Sequence, residues 1–464
     1  MISRKTLALG GGAVLVAAIA AAFLAPARRT VTTSSPMAYR EYLAGQDEIH
    51  RMYMTDARRH FEAALRYDPD FVMAMVSMAS IRQSEPAVAK AWLARANAGR
   101  NRVGRRERLA LDLMRAWVEN RFNEATRLAI VLKDDYHDER GYSFLGNVAA
   151  MRGQTEDANA IYREWLAVDP NNAFAYNLLG YNAAYRGDYA EAVSDLKKYA
   201  FLAPDQANPF DSLGEVEAAS GRYEDAIADL RKALSIKPDF YPSLVHLGVA
   251  YSGKGEFAQA RTALEAAVKG YAGNPGQTIG ALLELVTVAR RQGDLSLERE
   301  TIERALALDF GAGEDPRPLL RALLASDEGR YDEAVAQWNR FSPSAGPDEK
   351  VHAQSVRSAA LLRGRIEFNA GHFEAAARWI EGNLAPPGRE GGLQEQAIAL
   401  RSRALLARAK ARLGDPAGAQ ATLAVNRRFN PRNPETLSAA EEIARMDVPA
   451  GSVRRGAGAE AKTR

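Results

Sequence analysis

Cysteine is absent from all 464 residues. That absence excludes disulfide frameworks, thiolate zinc ribbons, iron–sulfur ligation and thiol nucleophiles, together with lipoprotein anchoring, which needs a cysteine to acylate. An excess of one charge is also missing: 61 basic against 58 acidic residues leave a formal +3. A chain so balanced is not steered as a whole toward nucleic acid or an acidic ligand, and any electrostatic partner must use a local patch. The mean hydropathy of −0.31 excludes a polytopic membrane protein. Histidine is scarce, and the six present (His50, His60, His137, His246, His352 and His372) never fall in the His-Glu-x-x-His spacing of a zinc hydrolase.

One long apolar run does occur. Arg4 and Lys5 precede a charge-free stretch of 20 residues from Thr6 to Ala25, and Arg28 and Arg29 close it. As a helix it would measure about 30 Å, the thickness of a bilayer core. Eight alanines and the triplet Gly10-Gly11-Gly12 weaken its drive to insert. Two fates therefore fit residues 1–28. Retained, they are a single-pass signal anchor; alternatively, Ala25-Pro26-Ala27 has the small-x-small pattern of a signal cleavage site. Ser3-Arg4-Lys5-Thr6-Leu7 also resembles a twin-arginine signal with lysine in the second arginine's place. Each reading predicts a body outside the cytoplasm, in the periplasm of a bacterial envelope or secreted.

The rest of the chain repeats. Gly153, Gly187, Gly221 and Gly255 stand 34 residues apart, and so do Gly146, Gly180, Gly214 and Gly248. The same step links Leu145, Leu179, Leu213 and Leu247, then Ala158, Ala192, Ala226 and Ala260, then Pro170, Pro204 and Pro238. Within one unit, Tyr176, Leu179 and Gly180 lie at helical spacing, Gly187-Asp188 makes a turn, Ala192 and Leu196 begin a second helical stripe, and Pro204 stops it. Small residues mark a close crossing of two helices and large ones fill the seam beside it. The unit is a helical hairpin.

This pattern of aromatic, Leu-Gly, Ala, Leu and Pro resembles the tetratricopeptide repeat family. Looser copies extend it in both directions. The turn positions run from Met52 to Gly414 in steps of 34, 34, 33, 34, 34, 34, 38, 36, 42 and 43, which predicts about eleven hairpins. The expectation is an all-α solenoid over 37–447, preceded by the hydrophobic segment and a linker at 29–36, and followed by a disordered tail at 448–464. The 53 residues outside the array are too few for a separate catalytic domain.

No constellation in the repeats points to catalysis. Gly248 to Gly255 nearly spells a phosphate-binding loop, but Gly255 stands where the motif needs serine or threonine, and both end glycines belong to the repeat. No catalytic residue, cofactor or metal is expected. The resemblance implies a superhelix whose concave wall is built by the first helix of each hairpin and holds extended or helical segments of partner proteins. In that register the inward residues include Ser143, Asn147, Asn177, Tyr181, Tyr185, Asp211, Glu215 and His246. Tyrosine offers rigid contact area, and asparagine can both donate to and accept from an extended backbone. A second candidate surface is the basic run Arg100, Arg102, Arg105, Arg106 and Arg108, read either as a solvated connection between hairpins or as a patch for anionic lipid or an acidic partner. Interleaved stacking aromatics are lacking there, which argues against nucleic acid. The expected function is a non-catalytic scaffold that binds a protein or peptide, tethered through the N-terminal helix or exported. The alternative is a ligand-sensing or polysaccharide-handling module of an envelope secretion system.

Overall fold

A computed structural model describes residues 31–82, 85–310, 315–341, 349–387 and 392–446. The expected membrane segment and the C-terminal tail lie outside the described residues. Every regular element among those described is a helix. The chain divides into two compact units, Met1–Gly141 and Tyr142–Arg464.

In the first unit the described helices are α1 (Pro36–His50), α2 (Met54–Tyr67), α3 (Val72–Ile81), α4 (Pro86–Ala98), α5 (Arg105–Val118) and α6 (Phe122–Tyr136). Serine and proline start α1: the Ser35 hydroxyl accepts the Ala38 amide at 3.1 Å, and Pro36 sits in the first turn, where its missing N–H costs nothing. The segment expected as a linker is held down. Val31 is buried, and the Thr32 amide and hydroxyl donate to the two oxygens of Glu107 at 2.7 and 2.6 Å.

The helix α7 (Glu139–Met151) carries the boundary, and the second unit continues as α8 (Thr155–Val168), α9 (Ala173–Tyr185), α10 (Tyr189–Leu202), α11 (Ala207–Ala219), α12 (Tyr223–Ile236), α13 (Tyr241–Lys254) and α14 (Phe257–Gly270). Then follow α15 (Pro275–Gln292), α16 (Leu295–Leu306), α17 (Arg317–Asp327), α18 (Tyr331–Trp338), α19 (Glu349–Asn369), α20 (Phe373–Glu381), α21 (Leu393–Arg412), α22 (Pro416–Phe429) and α23 (Pro434–Met446).

One rule builds the hairpins in both units. A glycine in the first helix faces a large side chain 16 residues later in the second. A Cβ added at Gly45 would come within 2.5 Å of Phe61, at Gly146 within 2.1 Å of Tyr162, at Gly180 within 2.7 Å of Leu196, and at Gly248 within 2.5 Å of Leu264. Gly364 and Ile380 repeat the relation at 2.7 Å. The absent side chain lets the two backbones approach until the facing side chain fills the seam.

The turns follow a second rule. Of the eleven turn positions read from the spacing, ten have left-handed backbone, with Pro86 the exception. Glycine occupies eight of the ten, as left-handed φ requires no Cβ. Met52, at φ 63°, keeps a side chain there without a polar atom to compensate. Met52→Gly is therefore expected to stabilise the first unit by about 1 kcal/mol, read as a higher urea midpoint with unchanged slope. A variant less stable than the parent would show that Met52 contributes packing that outweighs its strained backbone.

Candidate partner-binding face of the second unit

Besides pairing with the second helix of its own hairpin, each first helix neighbours other first helices: α11 contacts α9 and α13, and α13 contacts α15. Their shared face is the one expected to form the inward wall. Side chains one repeat apart meet on it, because a residue and its 34-residue counterpart occupy equivalent positions on adjacent helices. The Tyr181 hydroxyl donates to Glu215 Oε2 at 2.7 Å. Asp211, which is buried, accepts the Ser243 hydroxyl at 2.7 Å on the same oxygen that lies 3.0 Å from His246 Nδ1. His246 Nε2 lies 3.7 Å from Glu215 Oε1, so the imidazole bridges the two carboxylates.

The charges of this network follow from its surroundings. Burial alone would lower the His246 pKa, but the Asp211 and Glu215 carboxylates prevail and push it up to about 9. The ring is therefore a cation at neutral pH, with both nitrogens protonated and no lone pair to act as a base. Burial first, and then the Glu215 and Asp211 charges, hold the Tyr181 phenol well above its ordinary value, so it stays a neutral donor. Tyr271 is pushed up to about 12 by burial and then by Asp211. What these groups offer is fixed hydrogen bonding and charge.

Over this wall lies part of the chain's own C-terminal repeat. Leu393 packs with Tyr181, Tyr185 and Tyr189. The Gln396 amide donates to the backbone carbonyls of Ala184 and Tyr185 at 3.0 and 2.9 Å and accepts the Tyr189 hydroxyl at 3.0 Å.

Two sequence profiles described as tetratricopeptide repeat match residues 177–240 and 217–277, the span that carries this wall. Residues 177–277 are tetratricopeptide repeats. No curated protein matches it. Solved structures similar to it include the Cut9–Hcn1 hetero-tetramer of the APC/C, 13% identical over 89% of this chain and 78% of that one, with a TM-score of 0.45. Pseudomonas aeruginosa pilF is 22% identical over 43% of this chain and 88% of its own, at 0.35. A tetratricopeptide repeat protein from Parabacteroides merdae is 17% identical over 57% and 97%, at 0.39. At such TM-scores these likenesses carry no argument about partner or activity.

Of the expected inward residues, the structure joins four: Tyr181, Glu215, Asp211 and His246. Tyr185 stands beside them, its ring 5.9 Å from that of Tyr181. Ser143, Asn147 and Asn177 take no part in the network. Asn147 accepts the Tyr162 hydroxyl at 2.8 Å, and its amide lies 3.5 Å from the Ser143 hydroxyl. Asn177 is buried, and its carbonyl oxygen has no hydrogen-bond partner among the described residues. Sequence reasoning missed Gln396 and the rest of the C-terminal repeat. Its only signal was the lengthened step before Gly371 and Gly414, which corresponds to the 21-residue α19 and the 20-residue α21.

The basic run lies in the first unit, across a short 3-10 turn and the start of α5. Each arginine is answered inside the chain. Arg100 pairs with Asp112, Arg102 with Asp70 at 2.6 Å, Arg105 with Asp135 at 3.7 Å and Arg106 with Asp138 at 2.6 Å. Arg108 donates to the Val103 carbonyl at 2.6 Å. Asp138 is fully buried, yet Arg140 and Arg106 overcome the effect of burial and hold its carboxyl down at about 2. The run thus works as structural pairing inside the first unit, across the α5–α6 hairpin for Arg105 and between hairpin connections for Arg102.

Proposed function

We propose that this chain is a protein-binding scaffold whose partner segment lies on the inward wall of the second unit, along α9, α11, α13 and α15. The repeats of this family generally serve as non-catalytic surfaces for protein partners. The observation that carries the reading is the Tyr181–Glu215–His246–Asp211 network, which lines fixed donors and acceptors along successive first helices. In this proposal the hydrophobic segment at 6–25 either tethers the scaffold to the inner membrane of a bacterial envelope or exports it. Among the described residues no helix is long and apolar enough to cross a membrane.

The test is cross-linking and capture of the full chain from its native cells. A partner recovered stoichiometrically by the parent should fall at least about tenfold in a Glu215→Lys/Tyr185→Ala variant that keeps the parental helicity, since interface energy concentrates in a few side chains. Equal recovery of the same protein by both chains would place the partner elsewhere.

A further inference from the structure

The C-terminal repeat reaches across about two hundred residues of chain to touch the hairpins of α9 to α12, and it does so through polar groups. Besides Gln396, the Asn430 amide donates to the Tyr223 hydroxyl, which itself donates to the Arg432 carbonyl, both at 3.3 Å. Arg432 takes both oxygens of Glu224 at 2.7 and 3.1 Å and lies over the Tyr223 ring at 5.1 Å. The Phe429 ring covers Gly187, where an added Cβ would come within 2.7 Å of it. Neighbouring hairpins along the solenoid, in contrast, join through continuous apolar clusters.

Such a contact is easy to undo. Arg432 and Glu224 are each about half exposed, and an exposed ion pair contributes little and is screened by salt. The Ala184 carbonyl already accepts the Gly187 amide at 2.9 Å, and the Tyr185 carbonyl ends α9, where a helix leaves an acceptor that water satisfies as readily as the Gln396 amide. Leu393 is the one buried apolar side chain that α21 contributes to the tyrosine cluster.

Charge indicates what would replace α21. Around the His246 cation the wall gathers three carboxylates, those of Asp211, Glu215 and Glu284. The one basic group that α21 sends to these carboxylates is Arg401, whose Nη2 stands 3.8 Å from Glu284 Oε1, a loose contact. If α21 withdraws, Arg401 leaves with it, and the cluster around His246 holds three carboxylates against one imidazolium. A visiting segment must then bring a cation.

We infer that the wall along α9, α11, α13 and α15 takes a partner segment bearing basic side chains, and that α21, with Arg401 in the place of such a side chain, is a resident competitor that latches the wall closed. The inference rests on the reading of this wall as the partner site. The partner and the latch compete for the same carboxylates, so occupancy depends on how readily the C-terminal repeat lifts.

The absence of native cysteine makes the test clean. In the full chain, Glu224→Cys and Arg432→Cys are bridged with a short bis-maleimide to hold the latch shut, and Gln396→Ala with Arg432→Ala weakens it. The probe is a fluorescein-labelled tetra-arginine peptide followed by anisotropy at low salt, with tetra-glutamate as control. The weakened chain is expected to bind tetra-arginine at least about tenfold more tightly than the parent, and the bridged chain at least about tenfold more weakly. Adding Glu215→Gln and Glu284→Gln to the weakened chain should abolish the gain. Equal affinity in bridged and weakened chains would overturn the latch and leave the wall reading standing. Gated binding that ignores Glu215→Gln and Glu284→Gln would place the site elsewhere and overturn the wall reading. Tetra-glutamate binding as tightly as tetra-arginine, or no binding of tetra-arginine to the weakened chain, would overturn the basic partner. Should the weakened chain fail to fold, spin labels on Cys-substituted Ala190 and Arg428, exposed positions beside the Gly187–Phe429 contact that leave the Glu224–Arg432 pair in place, give a second measurement: their separation should broaden between about 0.05 and 1 M salt. A single narrow separation at both salts would refute a reversible latch.

Discussion

Gly214→Leu is expected to cost about 3 kcal/mol or more and to break the second unit at its best-formed repeats, as inserted methylenes in a close-packed seam force side chains and backbone apart. Even the Cβ of alanine would lie 2.5 Å from Leu230 Cγ and 3.1 Å from the Ala226 carbonyl oxygen. Leu230 is fully buried, and a backbone oxygen cannot swing aside. Gly214→Ala is therefore expected to cost about 1–3 kcal/mol, whereas the same change in an open helix stabilises by about 1 kcal/mol. The sign separates the two situations. Urea denaturation of both variants reads the effect, and hydrogen exchange should show α11 and α12 opening first. Leu230→Ala should cost less in the Gly214→Ala background than in the parent, because the two side chains compete for the same seam. A neutral or stabilising Gly214→Ala would mean that the helices do not cross as closely as described.

Asp327→Ala is expected to cost about 3 kcal/mol, the low end for removing one partner from a buried ion pair, since of the cluster only Glu298 is buried while Asp327, Arg290 and Arg365 are half-buried. Asp327 accepts Arg290 Nη2 at 2.9 Å and Arg365 Nη2 at 2.6 Å, and Arg290 also pairs with Glu298, which is buried. Three successive hairpins are thereby joined through one carboxylate. The Arg365 guanidinium is already strained as a cation, its pKa lowered by burial and then by the Arg290 charge.

The cluster also predicts a pH dependence. Burial raises the Glu298 carboxyl, Arg290 opposes it, and Asp327 adds to it, giving about 7 against an ordinary 4.5. Between those values the folded chain holds a proton that the unfolded chain has released. The contribution of Glu298 to stability is therefore fully present below pH 4.5 and falls as the pH rises toward 7. Removing Asp327 removes one of the groups that keep Glu298 protonated, so this slope should shrink. The cost of Asp327→Ala is accordingly larger at pH 5 than at pH 7.5, measured as the difference in unfolding free energy between parent and variant. A cost independent of pH would rule out a proton held by this cluster.

The hairpins were legible in the sequence because their determinants are local. Gly180 and Leu196, or Gly214 and Leu230, belong to the same helical pair, and the turn glycine between them reports a backbone conformation that few other residues tolerate. Met52 and Asn120 could be placed at turns only by counting from the glycines, and both prove left-handed. The candidate site was legible by register alone. Tyr181, Asp211, Glu215 and His246 were assigned inward by position, but not that one imidazole would bridge two carboxylates. Asn177, chosen by the same register, is sealed inside. The arginine run was visible as a charge run, and the acidic residues after it were visible too; that Asp135 and Asp138 would answer Arg105 and Arg106 depends on how the two helices of the α5–α6 hairpin turn against each other.

By itself, then, the 34-residue spacing determined the helical hairpin, its small-against-large seam and its left-handed turns, since each follows from contacts within one or two repeats. Only the tertiary structure decided that the C-terminal repeat returns to lie on α9 to α12, with Gln396 at Tyr185 and Arg432 at Glu224. That return is the sum of small rotations at successive hairpin junctions over more than two hundred residues. Each rotation is set by side-chain packing that the repeat pattern leaves free, and the sum determines whether the wall stands open or is covered by the chain's own helix.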